Sequence, residues 1–317
     1  MFLFKVAQMI RDFSDVRSRL KNQPRLTVCA VAANDVAVLE LLYDAYRLGI
    51  ADAIAIGDEA AICKILDAKA WKFPLEIIDR KDPVQAAQLG VRLIRQGRAT
   101  VLIKGLINSS SFLREILEDV RAHVPAAFLS HLAVFEIPDV GRLIFSTDGG
   151  LEIAPQLAGK RRILENSLSA MHQLGYISPK VAVLTANEAI NPDMPATIDA
   201  AELVEAWRQG DFPNSVIEGP ITMDVALSRY AAKRKGIVSR VSGEVDLLLM
   251  PNIEAGNISG KVLIYWAGAK MAGLVLGADY QIVLTSRAEN SEGRLNSLAL
   301  ACLLQQGDGI RKREEKL

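Results

Sequence analysis

The sequence predicts an α/β protein made of two doubly wound α/β domains with an interdomain cleft. Three observations lead there. Short apolar or β-branched runs alternate with longer segments of helical period. The 317 residues exceed one domain of ordinary size and suffice for two hydrophobic cores. The alternation breaks once, in mid-chain, where two strand-like runs are joined by only Asp139-Val140-Gly141.

Strands are expected first at Leu26–Val31, Ala53–Ile56, Leu75–Ile78 and Thr100–Ile103, and later at Val181–Leu184, Val216–Glu218, Val245–Leu249 and Tyr280–Leu284. Helical patterns such as Val36–Leu48, Pro83–Arg95 and Phe112–Val120 lie between them, and this order gives parallel sheets covered by helices on both faces. The pair Leu132–Pro138 and Arg142–Thr147 is different, because so short a loop permits only an antiparallel hairpin. The chain therefore passes from one α/β domain to the next near residue 127, and the pattern leaves open whether it later returns.

The apolar opening Met1–Ile10 lacks a basic flank and is soon interrupted by Arg11, Asp12 and Asp15, so it reads as a first helix and not a signal peptide. No apolar run reaches the roughly 18 residues of a membrane span. The charged end Arg311–Lys316 reads as a frayed tail.

Composition narrows the ligand. The 37 Lys and Arg balance the 37 Asp and Glu, which argues against a general nucleic-acid partner and for a small molecule. Cys29, Cys63 and Cys302 are odd in number and widely spaced, as expected in a reducing cytoplasm, and Cys29 and Cys302 sit in apolar runs that place them in the core. His123, His131 and His172 form no metal-ligand spacing, and neither a P-loop nor a Gly-x-Gly-x-x-Gly fingerprint follows a strand.

In wound sheets, ligands sit beyond the carboxyl ends of the strands, where helix starts offer unpaired N–H groups. Lys104 to Ser111, with Arg114 one turn on, brings a lysine, serine hydroxyls and an arginine to such a junction; Ser109 and Ser110 also suit a simple N-cap. Asp148-Gly149-Gly150 either lets backbone approach a ligand or makes a turn, the turn being the plainer reading. Thr222 either caps a helix or aims its hydroxyl into the cleft.

Pro251 to Ile258 places Asn252, Glu254 and a glycine where a buried strand hands over to a helix, and Asn257 and Lys261 share a face of that helix. Ser286-Arg287 follows the last strand, where arginine offers a planar fork for phosphate and serine a donor for a developing oxyanion. Together these junctions suggest a phosphate-handling enzyme.

Several longer segments in fixed order resemble one family. They are Lys104 to Arg114, Ser130 to Pro138, Ser146 to Pro155, Met194 to Ala201, Pro251 to Ile258 and Val283 to Ala288, within a resemblance running from about residue 26 to 304. They resemble the phosphate acetyltransferase/phosphate butyryltransferase family, and its butyryltransferase branch in particular.

The resemblance implies reversible transfer of a short-chain acyl group, butyryl first, between coenzyme A and orthophosphate, with acyl phosphate as the other partner. Coenzyme A enters as a substrate, with no metal, no prosthetic group, and no nucleic acid or membrane partner. The implied assembly is a cytoplasmic homodimer or higher homo-oligomer. The implied fold is similar to isocitrate and isopropylmalate dehydrogenases, its first domain formed by 1–127 plus 288–317 and its second by 128–287.

The resemblance also suggests roles. Ser286 and Arg287 match active-site groups and Arg114 matches an acyl-phosphate ligand, while Lys104, Ser109, Ser110, Asn252, Glu254, Asn257 and Lys261 complete the substrate set. This chain departs from the family at two places. Gly293 stands where the acetyl branch has a catalytic aspartate, and Glu289-Asn290 stands where the butyryl branch has Asp-Ser. Glu289 is therefore the candidate base that takes the proton of a coenzyme A thiol whose ordinary pKa is near 8.5. The alternatives are a phosphate acetyltransferase, a non-catalytic acyl-CoA-binding protein, and a decarboxylating dehydrogenase, the last disfavoured by the lack of an aspartate cluster for Mg²⁺.

Overall fold

The computed structural model describes residues 9–21, 23–286 and 288–314, with side chains through residue 307. The helix expected over Met1–Ile10 falls outside the described residues except for Met9 and Ile10, which are not helical. Two compact units emerge: Phe13–Leu129 with the chain from Ala272 onward, and Ser130–Met271 with the few residues before Phe13.

The first unit runs α1 (Phe13–Leu20), β1 (Leu26–Val31), α2 (Val36–Arg47), β2 (Ala51–Gly57), α3 (Glu59–Lys69), β3 (Leu75–Asp79), α4 (Pro83–Arg95), β4 (Val101–Lys104) and α5 (Ser109–His123). The strands lie in the order β3-β2-β1-β4, all parallel. Aspartates start three of the helices: Asp35 accepts from the N–H groups of Ala37 and Val38, Asp58 from Ala61, and Asp82 from Gln85. Small residues let α4 lie close to the sheet, for a Cβ on Gly90 would stand 2.4 Å from Val31 and 2.9 Å from Leu102. Helix α5 begins three residues earlier than its apolar pattern, because the serine run forms its first turn.

The second unit starts with the expected hairpin, β5 (Ser130–Glu136) antiparallel to β6 (Leu143–Thr147). It continues through α6 (Leu157–Gln173), β7 (Lys180–Leu184), α7 (Pro195–Arg208), β8 (Val216–Ile221), the short α8 (Met223–Leu227) and α9 (Arg229–Arg234), β9 (Leu247–Leu249) and α10 (Ile253–Tyr265). The order β5-β6-β9-β7-β8 is parallel apart from β5.

A strand absent from the sequence reading, β10 (Lys270–Leu276), then carries the chain back into the first unit. It pairs antiparallel with β11 (Gln281–Val283), which runs parallel beside β4. The closing helix α11 (Ser291–Glu314) packs against α1, α2, β4 and β11. It continues through residues expected to be a frayed tail, of which Glu315 and Lys316 lie outside the described residues. No helix among the described residues is long and apolar enough to cross a membrane.

One buried carboxylate organises the rim of the second unit. Asp148, 2 % exposed, accepts at 2.8 Å from the backbone N–H groups of His131, Gly150 and Leu151. Bonds to a charged acceptor contribute about 1.5–3 kcal/mol each, enough to hold this loop in one conformation. The loop then packs backbone to backbone on α10: a Cβ on Gly256 would lie 2.7 Å from the Asp148 carbonyl oxygen and 2.7 Å from the Gly149 Cα. The turn reading of the two glycines holds, the turn being closed by the Asp148 side chain, and the backbone they bring close belongs to the protein itself.

The buried His131 ring lies under Gly150, whose Cβ would meet its Cγ at 2.7 Å. Burial lowers the imidazole pKa from its ordinary 6.5, against the opposing pull of Asp148. The unfolded chain therefore binds the proton more readily, and stability falls as pH drops below about 6.5. Urea unfolding of His131→Asn should show a shallower loss between pH 7.5 and 5.5 than the parent chain. Burial raises the Glu152 and Asp246 carboxyls, but these are common to both proteins and drop out of the comparison. Parallel pH profiles would show that His131 is not held neutral.

Candidate active site

Two pairs of parallel strands position the residues singled out from the sequence, one pair in each unit. In the first unit Ile103 of β4 lies opposite Val283 of β11. Lys104 and Leu284 thus leave the sheet side by side, at the roughly 5 Å spacing of neighbouring strands. The loop after β4 becomes α5; the loop after β11 carries Ser286 and Glu289. Lys104 and the loops that lead to Ser109, Ser110 and Arg114 on one side and to Ser286 and Glu289 on the other leave the sheet from these neighbouring strand ends. Arg287 lies outside the described residues.

The same rim is a topological switch point. From β1 the chain moves outward to β2 and β3, then returns to the other side of β1 as β4, so the connections at β1 and β4 diverge. Gly105 makes the junction possible. A Cβ there would stand 2.3 Å from the Ala32 carbonyl oxygen, and Gly105 and Leu106 donate N–H bonds to Val31 and Ala32. Ala32 itself holds a left-handed φ of +50°, an uncommon state for a residue with a Cβ.

Helix α5 starts differently from its neighbours. Its N-cap residue Asn108 makes no side-chain cap bond, whereas α2, α3 and α4 each begin on an aspartate. Ser109 and Ser110 are exposed, so their N–H groups and hydroxyls at the positive end of a 15-residue helix are available to an anion. Lys104 is buried to 8 % exposure, its ammonium 3.3 Å from the Gly105 carbonyl oxygen. Arg114 is exposed on the following turn and makes only long, 3.4 Å contacts to the Glu115 carboxylate.

On the neighbouring loop Ser286 is exposed, and its backbone N–H donates to Glu289 Oε2 at 3.2 Å. The Glu289 N–H in turn donates to the Ser286 carbonyl oxygen at 3.1 Å, so the serine and the carboxylate close one tight turn. Arg294, pointing back from α11, donates to the Glu289 carbonyl oxygen and fixes the turn to the helix.

In the second unit Thr147 of β6 lies opposite Leu249 of β9, which sets Asp148-Gly149-Gly150 beside the start of α10. Asn252 caps α10 by accepting from the Ala255 N–H at 2.9 Å, and the Asn257 amide donates to the Gly149 carbonyl oxygen at 3.2 Å. Glu254 is exposed and Lys261 half-buried on the same helix. Thr222, read as a cap or a cleft hydroxyl, stands at the N-cap of α8, where its carbonyl accepts from Ala226 but its hydroxyl makes no cap bond. Its hydroxyl lies in a polar cluster with Glu188, Asp224 and Lys235, whose cation holds both carboxyls below their usual range together with the Thr222 bond. Sequence reasoning missed the Asp148 and His131 pair altogether. The only signal for it was the double glycine, since backbone donors leave no residue signature.

Cys29 and Cys302 are buried, and desolvation raises each thiol to about 12. They remain protonated at neutral pH and are unsuited to carrying an acyl group. Among the described residues, no group of three or more His, Cys, Asp or Glu side chains could hold a metal ion.

Comparison with known proteins agrees with this geometry. The family described as phosphate acetyl/butaryl transferase matches residues 76–302. The phosphate butyryltransferase of Clostridium acetobutylicum is 39 % identical over 93 % of this chain and 99 % of its own. The phosphate acetyltransferase of Thermotoga maritima is 35 % identical over 96 % and 99 %. The crystal structure of a branched-chain phosphotransacylase from Enterococcus faecalis V583 superposes with a TM-score of 0.77 at 29 % identity, covering 88 % of this chain and 99 % of that one. A helix start without a side-chain cap, flanked by cations and following the strand next to the one that leads to a serine and a carboxylate, fits transfer of an acyl group to or from phosphate, and the chain belongs to the phosphate acetyl/butyryl transferase family.

Proposed function

We propose that this acyltransferase moves a butyryl-sized group between coenzyme A and orthophosphate, with Ser286, Arg287 and Glu289 at the reacting centre. The observation that carries the reading is the side-by-side exit of the β4 and β11 loops. It supports an anion-binding helix start that works with a hydroxyl and a carboxylate from the neighbouring loop. In this reading the N–H groups and hydroxyls of Ser109 and Ser110 take the phosphate together with Lys104, Arg114 and Arg287. Asn252, Glu254, Asn257 and Lys261 serve coenzyme A, Lys261 through its phosphates and Glu254 through its amide N–H groups.

Chemistry follows from these roles. The thiol of coenzyme A gives its proton to Glu289 as sulfur attacks the carbonyl carbon of the acyl phosphate. The C–S bond forms, the carbonyl electrons move onto oxygen, and Ser286 donates a hydrogen bond to that oxyanion. Collapse breaks the C–O bond to phosphorus, and the cations receive the departing phosphate while the proton passes from Glu289 to solvent. The high pKa of the buried thiols Cys29 and Cys302 supports direct displacement over an acyl-cysteine. Three free cysteines also suit a reducing cytoplasm.

The butyryl assignment rests on the 39 % identical relative, and the 35 % identical acetyltransferase supports the second reading. Phosphate-dependent thiol release should give a higher kcat/KM with butyryl-CoA than with acetyl-CoA; the reverse order establishes the acetyl reading. In the same assay Ser286→Ala should lower kcat by roughly 10²–10³-fold, the effect of losing an oxyanion donor. Glu289→Gln should abolish the acid limb of the pH profile. Unchanged turnover in either variant removes that residue from its role.

A homo-oligomer is supported by α10. Its inner side packs through small residues, with Gly256 against the Asp148 loop and Gly260 against Phe135, while Leu263 and Ile264 join the Phe135 and Ala269 cluster. Its outer side leaves Ile258 63 %, Val262 40 %, Tyr265 67 % and Trp266 86 % exposed. A continuous large apolar stripe of this kind marks an association surface. Trp266→Glu should convert a dimer to monomer in light scattering at micromolar concentration, and an unchanged mass excludes this stripe as the interface.

A further inference from the structure

Glycine occupies the third position of α11, where it weakens the helix and where glutamate or glutamine is favoured. The helix starts at Asn290, which accepts from the Gly293 N–H at 2.8 Å. A Cβ on Gly293 would stand 2.8 Å from Glu289 Oε1 and 3.0 Å from Glu289 Cγ, and the next nearest atom is the Asn290 carbonyl oxygen of the side chain at 3.2 Å. Gly293 is buried, and its own carbonyl accepts from Ser297 at 2.9 Å. The backbone at residue 293 is thus ordinary helix, with no left-handed φ that demands glycine. What demands it is the side chain of Glu289.

We infer that Gly293 is a positioning residue: the side chain it lacks is the seat of the Glu289 carboxylate, which can fold back onto the Ser286 N–H only because that space is empty. The carboxylate comes from the residue before the cap and lies over the first turn of α11. The seat has walls on three sides. Gly293 forms its floor, the Ser286 N–H binds one oxygen, and Arg294 anchors the Glu289 carbonyl oxygen. A methyl group at 293 overlaps the far end of a flexible side chain and leaves the buried backbone untouched, so it moves Glu289 without unfolding the helix. This inference rests on the acyl-transfer reading of Ser286 and Glu289.

The test is Gly293→Ala, with Glu289→Gln and the double variant. Alanine is the better helix former, so Gly293→Ala should melt at the parent temperature or a few degrees above it. It should nevertheless lose about tenfold or more in kcat, with KM for phosphate within about twofold, because a displaced general base is worth roughly 10²–10⁴-fold. The double variant should be no slower than Glu289→Gln alone, since both substitutions remove the same carboxylate from the same place.

An independent readout is the Ser286 amide signal in ¹⁵N–¹H spectra. It should follow the Glu289 titration in the parent chain and cease to do so in Gly293→Ala. Parent-like kcat in Gly293→Ala, or multiplicative losses in the double variant, overturns the inference. A full-rate Glu289→Gln beside a slow Gly293→Ala overturns instead the assignment of Glu289 as base.

Discussion

The pairing of β4 with a parallel strand on each side is the constraint on which the rest of the first unit depends. β1 and β11 flank it in the same direction, so every carboxyl end emerges at one rim. Parallel geometry leaves no choice in this. A chain segment that arrives from residue 272 onward therefore delivers its loop next to one that left the sheet at residue 104, and residues more than 170 positions apart in sequence share one surface. The antiparallel β10 is what turns the returning chain around so that β11 can run parallel to β4.

The two units solve their rim by different means. In the first, a glycine at 105 admits the Ala32 carbonyl oxygen and α5 is left with open donors. In the second, four backbone donors are already taken within the unit itself, which leaves side chains such as Lys261 to meet a ligand. Asp148 consumes three backbone N–H groups, Asn252 consumes one at α10, and Asn257 spans to Gly149. The first rim leaves backbone donors of a helix start open, whereas the second spends them on its own loop.

Much of this was legible before any coordinates. The runs at Leu26–Val31 and Pro83–Arg95 are the observed elements to the residue, because apolar period and an Asp-Pro start leave little freedom. The hairpin at 132–147 was forced by its three-residue loop. β10 escaped because Gly273 interrupts a short apolar run, although Ala272 to Leu276 are all buried. At the site, Lys104, Ser109, Ser110, Arg114 and Ser286 were readable as polar residues at strand ends. The ties of Asp148, Glu289 and Gly293 were not, since each involves a backbone donor or a missing side chain, and neither leaves a mark in sequence.

The aspartate caps of α2, α3 and α4 have a consequence beyond holding their helices. Asp35, Asp58 and Asp82 each place a full negative charge at the mouth of a helix start on one rim. In the acyl-transfer reading, a phosphate-bearing molecule diffusing along that rim meets a carboxylate at three helix starts, one of them 3.9 Å from the Lys81 ammonium, and none at the fourth, where Asn108 brings no charge and Lys104 and Arg114 bring two of opposite sign. Discrimination between equivalent helix ends would then begin before any contact forms, with which starts carry a carboxylate and which does not.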